Sequence, residues 1–231
     1  MWGPYTADRT LAPFPVANAR CRAIVDAGGL HFAGGSIGAL VVCRGRVLRT
    51  AEPDLTAYGI AQVHRGLGAG ALRVLHTVFA PAAERTLLLS LVRLENRGEE
   101  LLPVEYTELW DVRGEDYACS PGGVERRGVD GLRLLGDLSV GVQSRAPETA
   151  PEHGLALDLS VVIPPGSRRE LCFGYACADP EEPPGPILRA WRGEVRAALA
   201  TSVRDWLERL PGASDPIRAY RALASAAASP P

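Results

Sequence analysis

A cluster of acidic and aromatic side chains lies near the middle of the chain: Glu105, Glu108, Asp111, Glu115 and Asp116, interleaved with Tyr106, Trp110 and Tyr117. Two carboxyls about 5–10 Å apart perform the acid–base and nucleophilic steps of glycoside cleavage. On an extended strand, however, Glu105 and Glu108 point to opposite faces. The nearest same-face pair, Glu105 and Asp111, is roughly 20 Å apart at about 3.3 Å per residue. The acidic stretch is therefore expected to be a solvated strand end and loop. The aromatic residues suggest a second chemistry, since a pyranose has an apolar C–H face and polar edges. Tyr106, Trp110 and Tyr117 would form the platform, with Asp111 and Arg113 as hydrogen-bonding neighbours. The competing reading places Tyr106 and Trp110 in the core, because they share a strand face with Val104 and Val112.

The remaining reactive residue types form no constellation in sequence. His31, His64, His76 and His153 are scattered, whereas a zinc site needs three or four convergent ligands at short spacings. No metal and no cofactor is expected. A His acid and a Glu base facing each other across a sugar would make a mutarotase, but no spacing selects His64 or His76 as the partner of Glu108. Gly34-Gly35-Ser36-Ile37-Gly38 lacks the Lys-Ser/Thr of a phosphate loop and is expected to be a hairpin turn. Ser120 lacks the G-x-S-x-G frame of a nucleophile elbow. No catalytic residue is assigned.

Composition narrows the class. The 231 residues include 25 basic residues, all arginine, and 27 acidic ones, for a formal charge of -2. This balance gives no general attraction to nucleic acid or anionic membrane. A hydrophobic share of 46% is enough for a sizeable core. Every apolar stretch is interrupted before the roughly 18–20 residues needed to span a bilayer, and the start, Met1-Trp2-Gly3-Pro4-Tyr5, has no secretory pattern. Five widely spread cysteines without a C-x-x-C pair suit reduced thiols. A cytoplasmic location is the expectation.

The elements that must position these residues are mostly strands. Short alternating runs are expected at Cys21–Asp26, Ala39–Cys43, Arg46–Thr50, Ala71–Ala80 and Thr86–Glu95, the last buried on both faces. Leu102–Val112 alternates most clearly. Further strands are expected at Val124–Arg127, Leu132–Leu135 and Leu138–Gln143. Leu155–Ile163 and Arg169–Cys177 flank the turn Pro164-Pro165-Gly166-Ser167. After the Pro-rich acidic linker at Asp179–Pro186 the period becomes helical. Leu188, Trp191, Val195, Leu199, Val203, Trp206 and Leu210 form one stripe, ended by Pro211-Gly212. Asp215 then caps a second helix carrying Ile217, Tyr220, Leu223 and Ala227. Residues 1–180 are expected to form a β domain and 181–231 a linker with two amphipathic helices.

The segment Leu75–Val112 runs from a strand ending F-x-P, through an apolar strand ending L-x-N-R, to an aromatic-rich strand with Glu and Trp. It resembles the N-terminal β-supersandwich, a galactose-mutarotase-like domain, of the clan joining glycoside phosphorylases and related hydrolases. Cellobiose phosphorylases, glycogen-debranching enzymes and glucoamylase-like enzymes are its members. The hairpin around Pro164-Pro165-Gly166-Ser167 is similar to a piece of those domains, and the tail from Pro186 looks like their linker helices. The resemblance implies an all-β antiparallel supersandwich with a C-terminal helical extension. It also implies that the catalytic carboxylates lie in an (α/α)6 barrel, which this sequence does not reach, so no family catalytic residue transfers. The expectation is a noncatalytic carbohydrate-associated module that covers or shapes a sugar site of a barrel supplied elsewhere. The barrel domain or partner subunit would dock on the exposed face of the second helix (Tyr220, Leu223, Ala227). The alternative is a stand-alone aldose-epimerase-like enzyme.

Overall fold

The computed structural model describes residues 6–8, 12–18, 20–27, 29–32, 35–82, 87–111, 117–120, 123–127, 133–138, 155–178 and 195–226. Sixteen strands lie in the described residues. The first eight are β1 (Thr6–Asp8), β2 (Phe14–Ala17), β3 (Arg22–Asp26), β4 (Gly29–Phe32), β5 (Gly35–Cys43), β6 (Arg46–Arg49), β7 (Leu55–Gly59) and β8 (Gln62–Ala69). Then follow β9 (Leu72–Phe79), β10 (Leu87–Asn96), β11 (Leu102–Asp111), β12 (Tyr117–Ser120), β13 (Gly123–Arg127), β14 (Arg133–Leu138), β15 (Leu155–Ile163) and β16 (Arg168–Ala178). Among the described residues two helices close the order, α1 (Val195–Arg209) and α2 (Pro216–Ala226).

The strands pair antiparallel in two sheets. The larger runs β1-β7-β8-β9-β10-β16-β14-β13-β12, and the smaller runs β15-β11-β5-β4-β3-β2 with β6 also on β5. This is the expected all-β antiparallel sandwich with C-terminal helices. Alternation drives it. Along β11 the positions Leu102, Val104, Tyr106 and Glu108 are buried, while Pro103, Glu105 and Leu109 are exposed. Inward residues of both sheets meet in one core, with Val74, Val92 and Phe173 from the larger sheet and Val41, Val104 and Ile163 from the smaller. Burial of such apolar area contributes about 25 cal/mol per Å² and is the main force holding the layers together.

Asn96 ties the sheets at one corner. Its Nδ2 donates to the carbonyls of Glu100 (2.7 Å) and Ile163 (2.9 Å), and its Oδ1 accepts from Gly98 N–H (2.9 Å). The expected L-x-N-R element thus has a physical role: a fully buried amide that satisfies the backbone where β10 turns into β11.

Strands β1, β2, β4, β7, β8 and β12 fall where none was expected, and two expected elements take another form. Gly35-Ser36-Ile37-Gly38 is not a turn but the start of β5, paired with β4 and β11. Residues 133–138 form one strand that runs through the expected break after Leu135, while residues 139–143 of the second expected strand lie outside the described residues, as do Leu188 and Trp191 of the helical stripe. Gly29 opens β4 with φ +132°, and a Cβ there would stand 2.4 Å from the Ile37 carbonyl oxygen. Both the left-handed backbone and that contact require glycine. Gly29→Ala is expected to destabilise the chain by about 1–3 kcal/mol, read as a lower urea midpoint with an unchanged slope.

The helices pack back onto the sandwich. Val195, Leu199 and Val203 of α1 cover Phe79, Leu87, Leu89 and Ala176 on the outer face of the larger sheet. Arg196 and Arg93 both pair with Glu170 there. Pro211 and Gly212 form the turn that ends α1, and Asp215 Oδ1 accepts from Arg218 N–H (3.0 Å) as the N-cap of α2. Tyr220 is fully buried against β2, so it belongs to the core and not to an exposed docking face, whereas Leu223 is 49% exposed.

Candidate functional site

Register brings together what the sequence keeps apart. Across the larger sheet, Thr56 of β7 lies opposite Arg65 of β8, and Arg65 opposite His76 of β9. His76 lies opposite Val92 of β10, one inward position from Ser90. Tyr175 of β16 and Glu108 of β11 reach the same interior from either side. Thr56, Arg65, His76, Ser90, Tyr175 and Glu108 are each at most 6% exposed.

These groups form a directed chain of hydrogen bonds. Tyr175 Oη donates to Glu108 Oε1 at 2.5 Å, and Tyr106 Oη donates to the same oxygen at 3.3 Å. Ser90 also bonds to the Tyr175 phenol oxygen, and because the single phenolic proton goes to Glu108, that oxygen accepts and Ser90 donates. With its proton committed to Tyr175, Ser90 Oγ accepts from His76 Nε2 at 2.7 Å. The imidazole therefore carries its proton on Nε2. The order is His76 to Ser90 to Tyr175 to Glu108, each group donating to the next.

Burial sets the protonation states. It pushes the Tyr106 and Tyr175 phenols well above their ordinary range, and the Glu108 charge adds to this. Both phenols remain donors. His76 is held well below the usual imidazole value by burial first, then by Arg65 and His64, and it is neutral at pH 7. Burial lowers Arg65 to about 10, which leaves it a cation at neutral pH. Its Nη1 and Nη2 donate to the carbonyls of Thr50 (3.3 Å) and Gly29 (3.4 Å).

The sequence placed Glu108 at a solvated strand end, and the structure corrects this: Glu108 is 1% exposed inside the sandwich. The parity of Leu102, Val104 and Tyr106 already carried that signal. Tyr106 is likewise a core residue, 1% exposed and stacked on Phe173 at 5.1 Å, so its ring offers no platform to a sugar. Trp110 and Asp111 end β11 opposite Ile37 and Ser36, and Tyr117 begins β12 in the other sheet. The side chains of these three lie outside the described residues, as do Arg113 and His153. The expected binding set is thus divided between two sheets. Among the described residues, no group of three His, Cys, Asp or Glu side chains could hold a metal ion. Among them too, no helix is long and apolar enough to cross a membrane.

A second row lies on the outer face of the larger sheet. His64 Nε2 meets Gln62 Oε1 at 2.7 Å and its Nδ1 meets Thr77 Oγ1 at 2.8 Å. Burial lowers His64 from 6.5 to about 4. Folding therefore favours the neutral ring, and its contribution is complete above about pH 6.5 and lost as the pH falls toward 4. The loss reaches about 3 kcal/mol, at roughly 1.4 kcal/mol per unit, and His76 shifts in the same direction. Urea unfolding between pH 7 and 4 checks this, and His64→Asn is expected to flatten the profile.

No family model and no curated protein matches the sequence. Several solved structures are similar in fold. One is described as a kojibiose phosphorylase from the human microbiome, 7% identical with a TM-score of 0.49, the match covering 96% of this chain and 31% of that one. Another is a galactose mutarotase related enzyme from Lactobacillus acidophilus, 9% identical with a TM-score of 0.46 over 73% of this chain and 98% of that one. A polysaccharide lyase is similar at 15% identity and a TM-score of 0.42, over 77% and 33%. The chain thus spans about a third of the length of the phosphorylase and the lyase, and nearly all of the mutarotase-related enzyme.

Proposed function

We propose that the chain is a noncatalytic carbohydrate-associated module, the N-terminal sandwich of a glycoside phosphorylase-like or hydrolase-like protein. In this reading it covers and shapes a sugar site in an (α/α)6 barrel supplied elsewhere. One observation carries the noncatalytic half. Arg65, His76 and Glu108, which could do acid–base work, are each at most 6% exposed and face the interior. A general acid or base must come within hydrogen-bond reach of its substrate, and a closed core does not allow that. The carbohydrate half rests on the resemblance of Leu75–Val112. The barrel would dock on the open side of the helical pair, where Leu207 is 38% and Leu223 49% exposed.

The test is the native polypeptide in its own cells, followed by immunoblot, intact mass and pull-down. This reading expects a species larger than 24.6 kDa, or a barrel subunit that co-purifies and is weakened by Leu223→Glu. A lone protein of 24.6 kDa without such a partner would count against it.

A further inference from the structure

We propose that Thr56, Arg65 and His76 together hold one buried water molecule, and that this water completes a hydrogen-bond relay from the Arg65 guanidinium to the Glu108 carboxylate. The three residues form one cross-strand row on the inward face of the larger sheet, where directly opposed Cβ atoms lie about 4.5–5.5 Å apart. They are 0%, 1% and 6% exposed. Each carries one buried polar atom that no group among the described residues satisfies: Thr56 Oγ1, Arg65 Nε and His76 Nδ1. Three such atoms on adjacent residues are a shared feature, because buried polar groups are nearly always paired.

The donor and acceptor types identify the occupant. Arg65 Nε–H can only donate. His76 Nδ1 can only accept, since its ring proton is on Nε2 and donated to Ser90. Thr56 Oγ1 does either. The site therefore calls for a small neutral molecule that accepts one hydrogen bond and donates another, which is water with the usual three partners. An anion would face the bare lone pair of Nδ1, and a cation would face Arg65. With the water in place every bond points one way: Arg65 to water, water to His76, then Ser90, Tyr175 and Glu108. The relay crosses the core from the larger sheet to β11 in the smaller and gives the buried guanidinium a third partner.

NMR on the intact chain tests it. The expected result is an Arg65 Nε–H resonance protected from solvent exchange that still cross-relaxes with water, together with a His76 ring protonated on Nε2 and bare at Nδ1. Thr56→Val, which keeps the side-chain shape, should remove one long-lived water from oxygen-17 relaxation dispersion, and Thr56→Ser should retain it. A protected Arg65 Nε–H without a water cross-peak, or a His76 protonated on Nδ1, overturns the proposal. So does an Arg65 resonance that moves when chloride is replaced by bromide, since the occupant would then be an anion. The two wild-type readouts decide the matter even if Thr56→Val does not fold.

Discussion

Glu108→Ala is expected to lower the unfolding free energy by about 3–5 kcal/mol. The substitution removes the acceptor of two buried phenols, Tyr175 at 2.5 Å and Tyr106 at 3.3 Å. Each unsatisfied buried donor costs about 1–3 kcal/mol, and the space left by the side chain adds to the loss. Glu108→Gln keeps one oxygen that accepts both bonds and should cost about half as much. A triple change, Glu108→Leu with Tyr106→Phe and Tyr175→Phe, should recover part of the loss, because removing all partners leaves no orphan. Urea unfolding followed by far-UV circular dichroism measures all three. A loss below about 1 kcal/mol for Glu108→Ala, the range of ordinary surface changes, would show that the interior chain does not hold the sheets.

Tyr220→Ala is expected to cost a similar amount, about 3–5 kcal/mol. Tyr220 is fully buried, and its hydroxyl accepts from Ala17 N–H and donates to the Pro15 carbonyl, both at 3.0 Å. Its ring meets Trp206 edge-on at 4.8 Å. One residue thus joins α2, α1 and β2. Tyr220→Phe keeps the ring and loses only the two hydrogen bonds, at about 1–3 kcal/mol. Hydrogen exchange should show the Ala17 amide opening in both variants. Leu223→Ala, half exposed on the same helix, should leave stability within about 0.5 kcal/mol. The contrast separates the side of α2 that serves the core from the side proposed to meet a partner.

The strands are legible where apolar and polar residues alternate without interruption. Leu102–Asp111 and the hairpin Leu155–Ile163 with Arg168–Ala178 fall within a residue of expectation, because a two-residue period fixes the inward face. Gln62–Ala69 is not legible in this way. Its inward positions are Val63, Arg65 and Leu67, and its outer positions include Gly66 and Gly68, so a buried arginine and two glycines hide the period. Gly35–Gly38 reads as a turn because glycine usually punctuates, yet here it continues a strand beside Gly29. The site is half legible. Parity alone directs Glu108 inward, but its link to His76 runs through β10 and β16. That register follows from how distant strands pair, which no local pattern encodes.

The most direct measurement of the central claim, that the interior acid and base groups serve the fold and not a reaction, is polarimetry of α-glucose and α-galactose anomerisation by the purified chain. The account predicts the buffer rate for the parent protein and for folded His76→Ala and Glu108→Gln variants alike. A rate above buffer that disappears in either folded variant would contradict it and make the chain a sugar-converting enzyme.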